Sequence, residues 1–337
     1  MISLTKKRIR IAVVGTKGQA IRVAIPTIKL SDNADFAGLI GSNFEVTREV
    51  ADKFGVKAFE SAQDLISSSS VDAVWVCVPN SMHTDVAETY LRGGINVLLE
   101  KPMATTSESA QSLLEVSENS TAVLKIAYQH RFRDAHSQIR KHVLNGSFGE
   151  IGIMRLHRFW KFPYFPNQVV ADLSEWRKSP EQSGGWAIND IGCHLIDLML
   201  WISPKPAEFL DGFFTRRFEG VSLDSSAFLR LRTGQTSLIS IETSNALESP
   251  GSILEIYGEG GWLRSMDSFH DMATNETNFS GSSLFQTTSQ DTYLRMLEDF
   301  ISACHGLPSI GATAKEAFES VLIVEQARIQ SKFMEDI

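Results

Sequence analysis

Through the first 127 residues, short β-rich runs alternate with amphipathic helical stretches, and this alternation restricts the fold more than any other feature of the chain. Ile9–Val14 is a continuous apolar strand that runs into a glycine turn and a helical stretch through about Lys29. Asp35–Ile40 reads as a second strand, and Glu45–Phe54 as a helix stopped by Gly55. Ser61 caps another helix, with Asp64 at the capping-box offset. Ala73–Val78 is a buried strand, His83–Arg92 a helix closed by Gly93-Gly94, and Val97–Leu99 a strand. A helix near Ser107–Glu118 leads to a last strand, Ala122–Ala127. Continuous apolar strands are buried on both faces, and strands separated by helices are joined by crossovers. The reading is therefore α/β: a doubly wound parallel sheet of the Rossmann type.

The pattern changes after Tyr128. A helix at Ala135–Leu144 ends in Asn145-Gly146, and from Ile151 strands dominate. Ser237–Thr243 alternates apolar and polar residues, as a strand does when one face of its sheet meets water. Ser252–Met266 reads as a hairpin around "GEGG", Asp271–Thr288 as a long polar loop, and Asp291–His305 and Thr313–Phe333 as closing helices. These features predict a C-terminal α+β domain with a mostly antiparallel open sheet. The expected division is 1–127, a dinucleotide domain; 128–310, a substrate and oligomerisation domain; and 311–337, a helix packing back on the first domain. The 337 residues, 43% hydrophobic and 21% charged, are ample for two cores. A net charge of −8 argues against general affinity for nucleic acid or anionic membranes. The three cysteines, Cys77, Cys193 and Cys304, lie far apart and suit a reducing compartment; no metal-ligand spacing is present. The basic N-terminus has too short an apolar run for a signal peptide or membrane span, so a cytoplasmic location is expected.

The turn "VVGTKGQA" lies where a pyrophosphate meets a helix N-terminus. Gly15 permits the tight turn, and Gly18 and Ala20 keep helix and strand close. Thr16, Lys17 and Gln19 complete the loop, with Lys17 where the G-x-G-x-x-A pattern has its middle glycine. An acid at the end of the second strand usually receives a ribose 2′-hydroxyl. Here that end is Gly41-Ser42-Asn43, with no carboxylate before Glu45 and with Arg48 one turn on. Ser42 and Asn43 can bond a 2′-phosphate without repelling it. NADP(H) is therefore favoured, with NAD(H) the alternative if the turn is merely polar.

The most specific segment follows, "VCVPNSMHTDVAETYLRGGINVLLEKPMATT". It resembles the glucose–fructose oxidoreductase/inositol dehydrogenase family (Gfo/Idh/MocA), which carries a P-N-x-x-H element after its fourth strand and E-K-P after its fifth. Both stand here, as Pro79-Asn80-x-x-His83 and Glu100-Lys101-Pro102. "YQHRF" at Tyr128–Phe132 is similar to the strand by which that family leaves its nucleotide domain. "GGWAINDIGCHLIDL" is similar to its G-G-G-x-x-x-D-x-G-x-H-x-x-D element, with Trp186 in place of the third glycine. The resemblance runs in order from the first strand to about Trp201. It implies a nicotinamide cofactor near Pro79, Asn80, His83, Glu100 and Lys101, and a cis peptide between Lys101 and Pro102. Taken alone, Lys101 reads as a solvated loop lysine, His83 as a surface histidine and Asn80 as a helix cap.

Oxidising a secondary alcohol requires an acceptor for hydride and another for the hydroxyl proton. An imidazole is a suitable proton acceptor near neutral pH. His194 fits that role, with Asp190 one turn earlier to hold its tautomer and Asp197 to orient it or cap local structure; on an α-helix all three share a face. Lys101 can donate to the reacting oxygen. The plainer reading of the same stripe is an N-cap, a core histidine and a surface acid. The run His157–Pro166 holds five aromatic residues, and Trp176 and Arg177 follow. These, with His130 and Arg131, either meet a sugar or serve packing and a structural salt bridge. The expected activity is NAD(P)-dependent hydride transfer to or from a sugar or cyclic polyol, without a metal, in a homo-oligomer. The alternatives are a dehydrogenase of another small carbonyl and a cofactor-binding regulator without turnover.

Overall fold

The computed structural model describes residues 7–160, 175–217, 223–249, 251–269, 275–280, 282–287 and 291–334. Two compact units make up the chain. One comprises Met1–Ala104, Glu108–Gln129 and Tyr293–Phe318; the other comprises Thr105–Ser107, His130–Thr292 and Glu319–Ile337. The units interleave in sequence, so the closing Ala314–Gln330 helix has its first turn in one and its remainder in the other.

The first unit holds a six-stranded sheet in the order β3-β2-β1-β4-β5-β6. Its strands are β1 (Ile9–Val14), β2 (Ala34–Ile40), β3 (Lys57–Ala58), β4 (Ala73–Val76), β5 (Asn96–Leu99) and β6 (Leu124–Ile126). Every pairing is parallel. That order is the doubly wound Rossmann arrangement, whose direction reverses between β1 and β4. β4 is wholly buried, as its unbroken run Ala-Val-Trp-Val requires of a strand covered on both faces. Local signals set the helix ends. Asn43 caps the Phe44–Phe54 helix by accepting from Val46 N at 3.1 Å, and Gly55 closes it in the left-handed region at φ 67°. Ser61 caps the next helix by accepting from Asp64 N at 3.1 Å.

The second unit holds a nine-stranded mixed sheet in the order β14-β13-β12-β11-β7-β10-β9-β8-β15. Its strands are β7 (Ile151–Phe159), β8 (Ala207–Thr215), β9 (Ser226–Thr233), β10 (Ser237–Ser244), β11 (Ile253–Gly258), β12 (Gly261–Met266), β13 (Asn275–Phe279), β14 (Ser282–Thr287) and β15 (Lys332–Phe333). β7 and β10 run parallel, as do β8 and β15; the other pairs are antiparallel. One face carries Met154, Leu156, Leu229, Leu231, Ile239, Ile241 and Leu254, all buried against the Asp134–Leu144 and Cys193–Ile202 helices. The opposite face presents ion pairs such as Arg155–Glu242 and Arg264–Glu255 across neighbouring strands.

The segment expected to be a long loop, Asp271–Thr288, instead contributes β13 and β14. Its polar composition conceals the pairing, because strands at a sheet margin can be held through hydroxyls: Thr277 is fully buried and donates to Ser265 Oγ at 2.9 Å. Residues 271–274, 281 and 288–290 lie outside the described residues. Among the described residues no helix is long and apolar enough to cross a membrane.

An acid that the sequence does not advertise fixes the start of the Ile188–Ile202 helical segment. Asp224 is buried and accepts from Trp186 N and Ile188 N, both at 2.7 Å. Ile188 N opens the helix and Trp186 N lies just before it, and neither has a partner inside the helix. Burial raises the Asp224 carboxyl to about 6, against the opposing pull of the two backbone N–H bonds. Asp224→Ala strands both donors, so urea unfolding should show a loss of about 2–4 kcal/mol. A change below about 0.5 kcal/mol, the level of an ordinary surface substitution, would reject this role.

Candidate active site

In the first unit, three sheet ends converge on the glycine turn. Gly15 N donates to Ile40 O and Cys77 N to Val14 O, both at 2.8 Å, which brings the carboxyl ends of β1, β2 and β4 together. Gly15 has φ +135°, and a β-carbon there would lie 2.6 Å from Cys77 O. Only glycine allows that approach. The following helix opens as a π turn, Ala20–Ala24, and continues as Ile25–Leu30. No side chain caps its N-terminus. Gln19, at the cap position, instead donates to Tyr293 Oη at 3.2 Å. Lys17 and Gly18 are exposed, Thr16 half-buried and Ala20 buried. An uncapped helix end behind a turn kept free of side-chain bulk fits a pyrophosphate, which the backbone of Gly15–Ala20 would hold.

The second-strand end is partly committed to structure. Ser42 is exposed, the Asn43 Oδ1 is used by its helix cap, and Arg48 pairs with Glu45. Ser42 and the Asn43 Nδ2, a donor that the cap does not use, are the 2′-phosphate candidates.

Beyond β4 and β5, the P-N-x-x-H and E-K-P elements are tied together by His83. The ring is 1% exposed, with Nδ1 2.6 Å from Pro102 O and Nε2 3.0 Å from Val78 O. Burial lowers its pKa to about 4, against the two carbonyl contacts, which favour protonation. A neutral ring has one N–H, so at neutral pH it donates to one carbonyl only. His83, expected at the cofactor, straps the Val78 turn to the Pro102 turn, with both nitrogens on backbone. Lys101 is half-buried between them, and its peptide bond to Pro102 is cis. Pro79 and Asn80 are half-buried on the same turn. Glu100 is buried and accepts from Trp75 Nε1 at 3.2 Å; burial raises it to about 7 despite the charge of Lys101.

In the second unit the helix carrying Asp190 and His194 starts as a π turn, Ile188–Gly192, and becomes α at Cys193. A π turn holds an extra residue, so Asp190 and His194 stand at a spacing that differs from that of a regular α-helix. Such turns recur at functional sites because they re-aim side chains. Asp190 is half-buried, and His194 is 6% exposed.

His194 belongs to a histidine cluster. Its ring stands edge-on to His130, centroids 4.9 Å apart at 77°, and His130 packs on Phe269 at 4.7 Å. Arg133 Nε approaches His130 Nδ1 and Arg158 Nη1 approaches Nε2, both at 3.4 Å. Burial first, then the positive charge of His194, Arg158 and Arg133, holds His130 neutral, well below its ordinary pKa. His136 donates from Nδ1 to His130 O at 2.7 Å and is itself held down to about 3 by burial. Neither Arg133 nor Arg158 was singled out in the sequence, and no motif marks them.

Arg131, expected to meet substrate, is 1% exposed and forms a two-pronged pair with Asp197 at 2.9 and 2.6 Å. That pair consumes Asp197 too, so the acid–imidazole–acid stripe is not one functional unit. His130 likewise meets His194 rather than open solvent. Trp176 and Arg177 stack on each other at 4.3 Å in the short Glu175–Lys178 helix. Of the aromatic run His157–Pro166, residues from 161 onward lie outside the described residues. Among the described residues no group of three or more His, Cys, Asp or Glu side chains is arranged to hold a metal ion.

A parallel sheet in this order, with an uncapped glycine-turn helix end at its carboxyl edge, defines a dinucleotide-binding protein. Residues 9–128 match the model of the oxidoreductase family with an NAD-binding Rossmann fold, and residues 136–264 match the C-terminal domain of that same family. The chain belongs to the Gfo/Idh/MocA oxidoreductase family. It is 27% identical to the rhizopine catabolism protein MocA of Rhizobium meliloti over 289 residues, 81% of this chain and 80% of that one. It is also 27% identical to the NADP(+) D-xylose 1-dehydrogenase of Haloarcula marismortui, covering 76% and 72%. Among solved structures, the 3-ketoreductase KijD10 of Actinomadura kijaniata, in complex with NADP and TDP-benzene, superposes with a TM-score of 0.81. That match covers 97% of this chain and 99% of that one at 19% identity, a likeness of fold.

The Arg131–Asp197 pair anchors the His130 turn to the His194 helix. Arg131→Met leaves a buried carboxylate unpaired, and chemical unfolding should show a loss of about 3–5 kcal/mol. Adding Asp197→Leu should recover most of it. A double variant no more stable than the single one would mean that the charges themselves, rather than their pairing, are needed.

Proposed function

We propose that the protein is an NADP(H)-linked oxidoreductase interconverting a ring hydroxyl and a ketone on a sugar or cyclic polyol. The observation that carries this reading is the setting of His194: buried, on the helix that follows the π turn, and edge-on to a His130 held neutral. A bound nicotinamide supplies the hydride acceptor or donor. In the oxidative direction the hydroxyl releases a hydride and a proton, and the proton passes to a ring nitrogen of His194. Asp190 stabilises the imidazolium that results. In reduction the same groups act in reverse, with His194 returning the proton. Sugar dehydrogenases among the relatives support the substrate class, as does the D-glucoside 3-dehydrogenase of Escherichia coli.

The preference for NADP(H) rests on the exposed Ser42 at the end of β2 and on the absence of a carboxylate before Glu45. The NADP(+) enzyme among the relatives supports it. In fluorescence titrations NADPH should bind more tightly than NADH, and Ser42→Asp should reverse or abolish that order by setting a carboxylate against the 2′-phosphate. Unchanged NADPH affinity in the variant would place the phosphate elsewhere.

His194→Asn should retain fold and cofactor binding while single-turnover hydride transfer slows by about 10²–10⁴-fold, the usual contribution of a positioned base. A core histidine predicts the reverse pattern, a lower melting temperature with hydride transfer intact. That result would remove His194 from the chemistry.

A further inference from the structure

The second unit concentrates buried polar atoms that have no hydrogen-bond partner within the protein. Thr243 Oγ1, both the Oδ1 and Nδ2 of Asn245, and Asn189 Oδ1 are all in this condition, in residues between 0% and 2% exposed. Leaving one such atom unsatisfied costs roughly 1–3 kcal/mol. Native proteins contain few, and each calls for an explanation such as a water or a ligand. Asn189 belongs to the π turn, Thr243 packs against it, and Asn245 follows Thr243 just past the end of β10.

Their location follows from the register. Along β10, Ile239, Ile241 and Thr243 project to one face, the face buried beneath the helix, and Asn245 follows in the same period just past the strand. A β-carbon added at Gly192 would come 3.3 Å from Thr243 Cγ2, so the Thr243 side chain lies against the turn that carries Asn189 and Asp190. On the other side, Thr243 pairs with Arg158 of β7, whose Nη1 is 3.4 Å from the His130 ring that stands against His194. The Asn245 backbone is held by its own N–H bond to Ser225 O at 3.0 Å, which leaves the carboxamide uncommitted.

The chemistry of these atoms selects the ligand. A carboxamide offers an acceptor beside a donor, a threonine hydroxyl offers both, and the Asn189 oxygen is a further acceptor. None is charged. Adjacent ring hydroxyls, each a donor and an acceptor, complement that set. We infer that Thr243 and Asn245 form a hydroxyl-recognition subsite for a neutral polyhydroxylated ring and determine which epimer the enzyme accepts. The inference rests on the sugar-oxidoreductase reading and extends it to the residues that choose among sugars.

The test uses Thr243→Val and Asn245→Leu in the full chain. Each removes polar atoms that bond nothing in the protein, so the melting temperature should hold or rise. With cofactor saturating, KM for the best sugar in a panel should rise about 10- to 100-fold. The kcat should change less than about threefold, because the hydride and proton transfers do not pass through these groups. Discrimination between that sugar and its epimers should collapse. A fall in melting temperature with KM and the epimer ratio unchanged would mean that these groups hold only structural water, and would overturn the inference while leaving the sugar reading intact. Should the wild type turn over no sugar at all, the sugar reading fails first, and titration calorimetry with cyclic polyols and pyranoses then decides the subsite. Polyol binding that Asn245→Leu abolishes would sustain it, and no binding to the wild type would overturn it. If Asn245→Leu does not fold, Thr243→Val and Asn245→Ser carry the same readouts.

Discussion

The geometry of the second unit depends on one buried ion pair. Arg131 and Asp197 are almost wholly removed from water, which is costly for both charges, and the two-pronged bond compensates only because its geometry is good. The pair's consequence is positional. Arg131 follows His130 in the Gln129–Phe132 turn, and Asp197 lies one turn past His194 on its helix. Pinning one to the other sets the His130 and His194 rings in a T-shaped contact at 4.9 Å. Further bonds lock the turn itself: His136 donates to His130 O, and Ser137 Oγ donates to Arg131 O at 3.1 Å. A charge pair too buried to meet substrate thus decides where the imidazoles stand.

The first unit solves a comparable problem with backbone and one imidazole. The approach of Gly15 to Cys77 O leaves no room for a side chain, and this keeps the carboxyl edge of the sheet open where a pyrophosphate fits. His83 then joins two turns that are separate in sequence, one carrying Pro79 and Asn80 and the other Lys101. Its own charge is suppressed by burial, so what the ring supplies is position. Glu100 sits behind Lys101 as a carboxyl raised to about 7 by burial, with Trp75 as its partner. The turns that carry Pro79, Asn80 and Lys101 are thus held by buried polar groups from neighbouring segments.

The second unit treats buried polarity in two ways. The Ile188–Gly192 turn is secured by Asp224, which meets Trp186 and Ile188 N–H groups that the helix cannot satisfy. A few residues away, Thr243 and Asn245 keep polar atoms unmet although they are as deeply buried. Strict satisfaction at the helix start thus stands beside unmet donors and acceptors at the end of β10.

Much of this architecture was legible in the chain. β1 and the His83–Arg92 and Ser107–Glu118 helices appear with the expected ends, because apolar periodicity and caps such as Ser61 and Gly55 act within a few residues of where they are written. The parallel order followed from alternation, and the E-K-P and D-x-G-x-H-x-x-D elements pointed to the family. What remained hidden depends on long-range contacts. The strands β13 and β14 are polar in sequence, with a buried hydroxyl bond tying β13 to β12, and the π turn at Ile188–Gly192 has no periodicity signal of its own. Asp224, Arg133 and Arg158 stand outside every motif, yet they hold the helix start and flank His130. Arg131 and Asp197, both inside motifs, lay open to a functional reading until burial joined them. Local sequence determines which segments become helix or strand, because those forces act over one or two turns. Only the tertiary structure decides which polar groups satisfy one another, because desolvation and pairing depend on residues brought together from opposite ends of a domain.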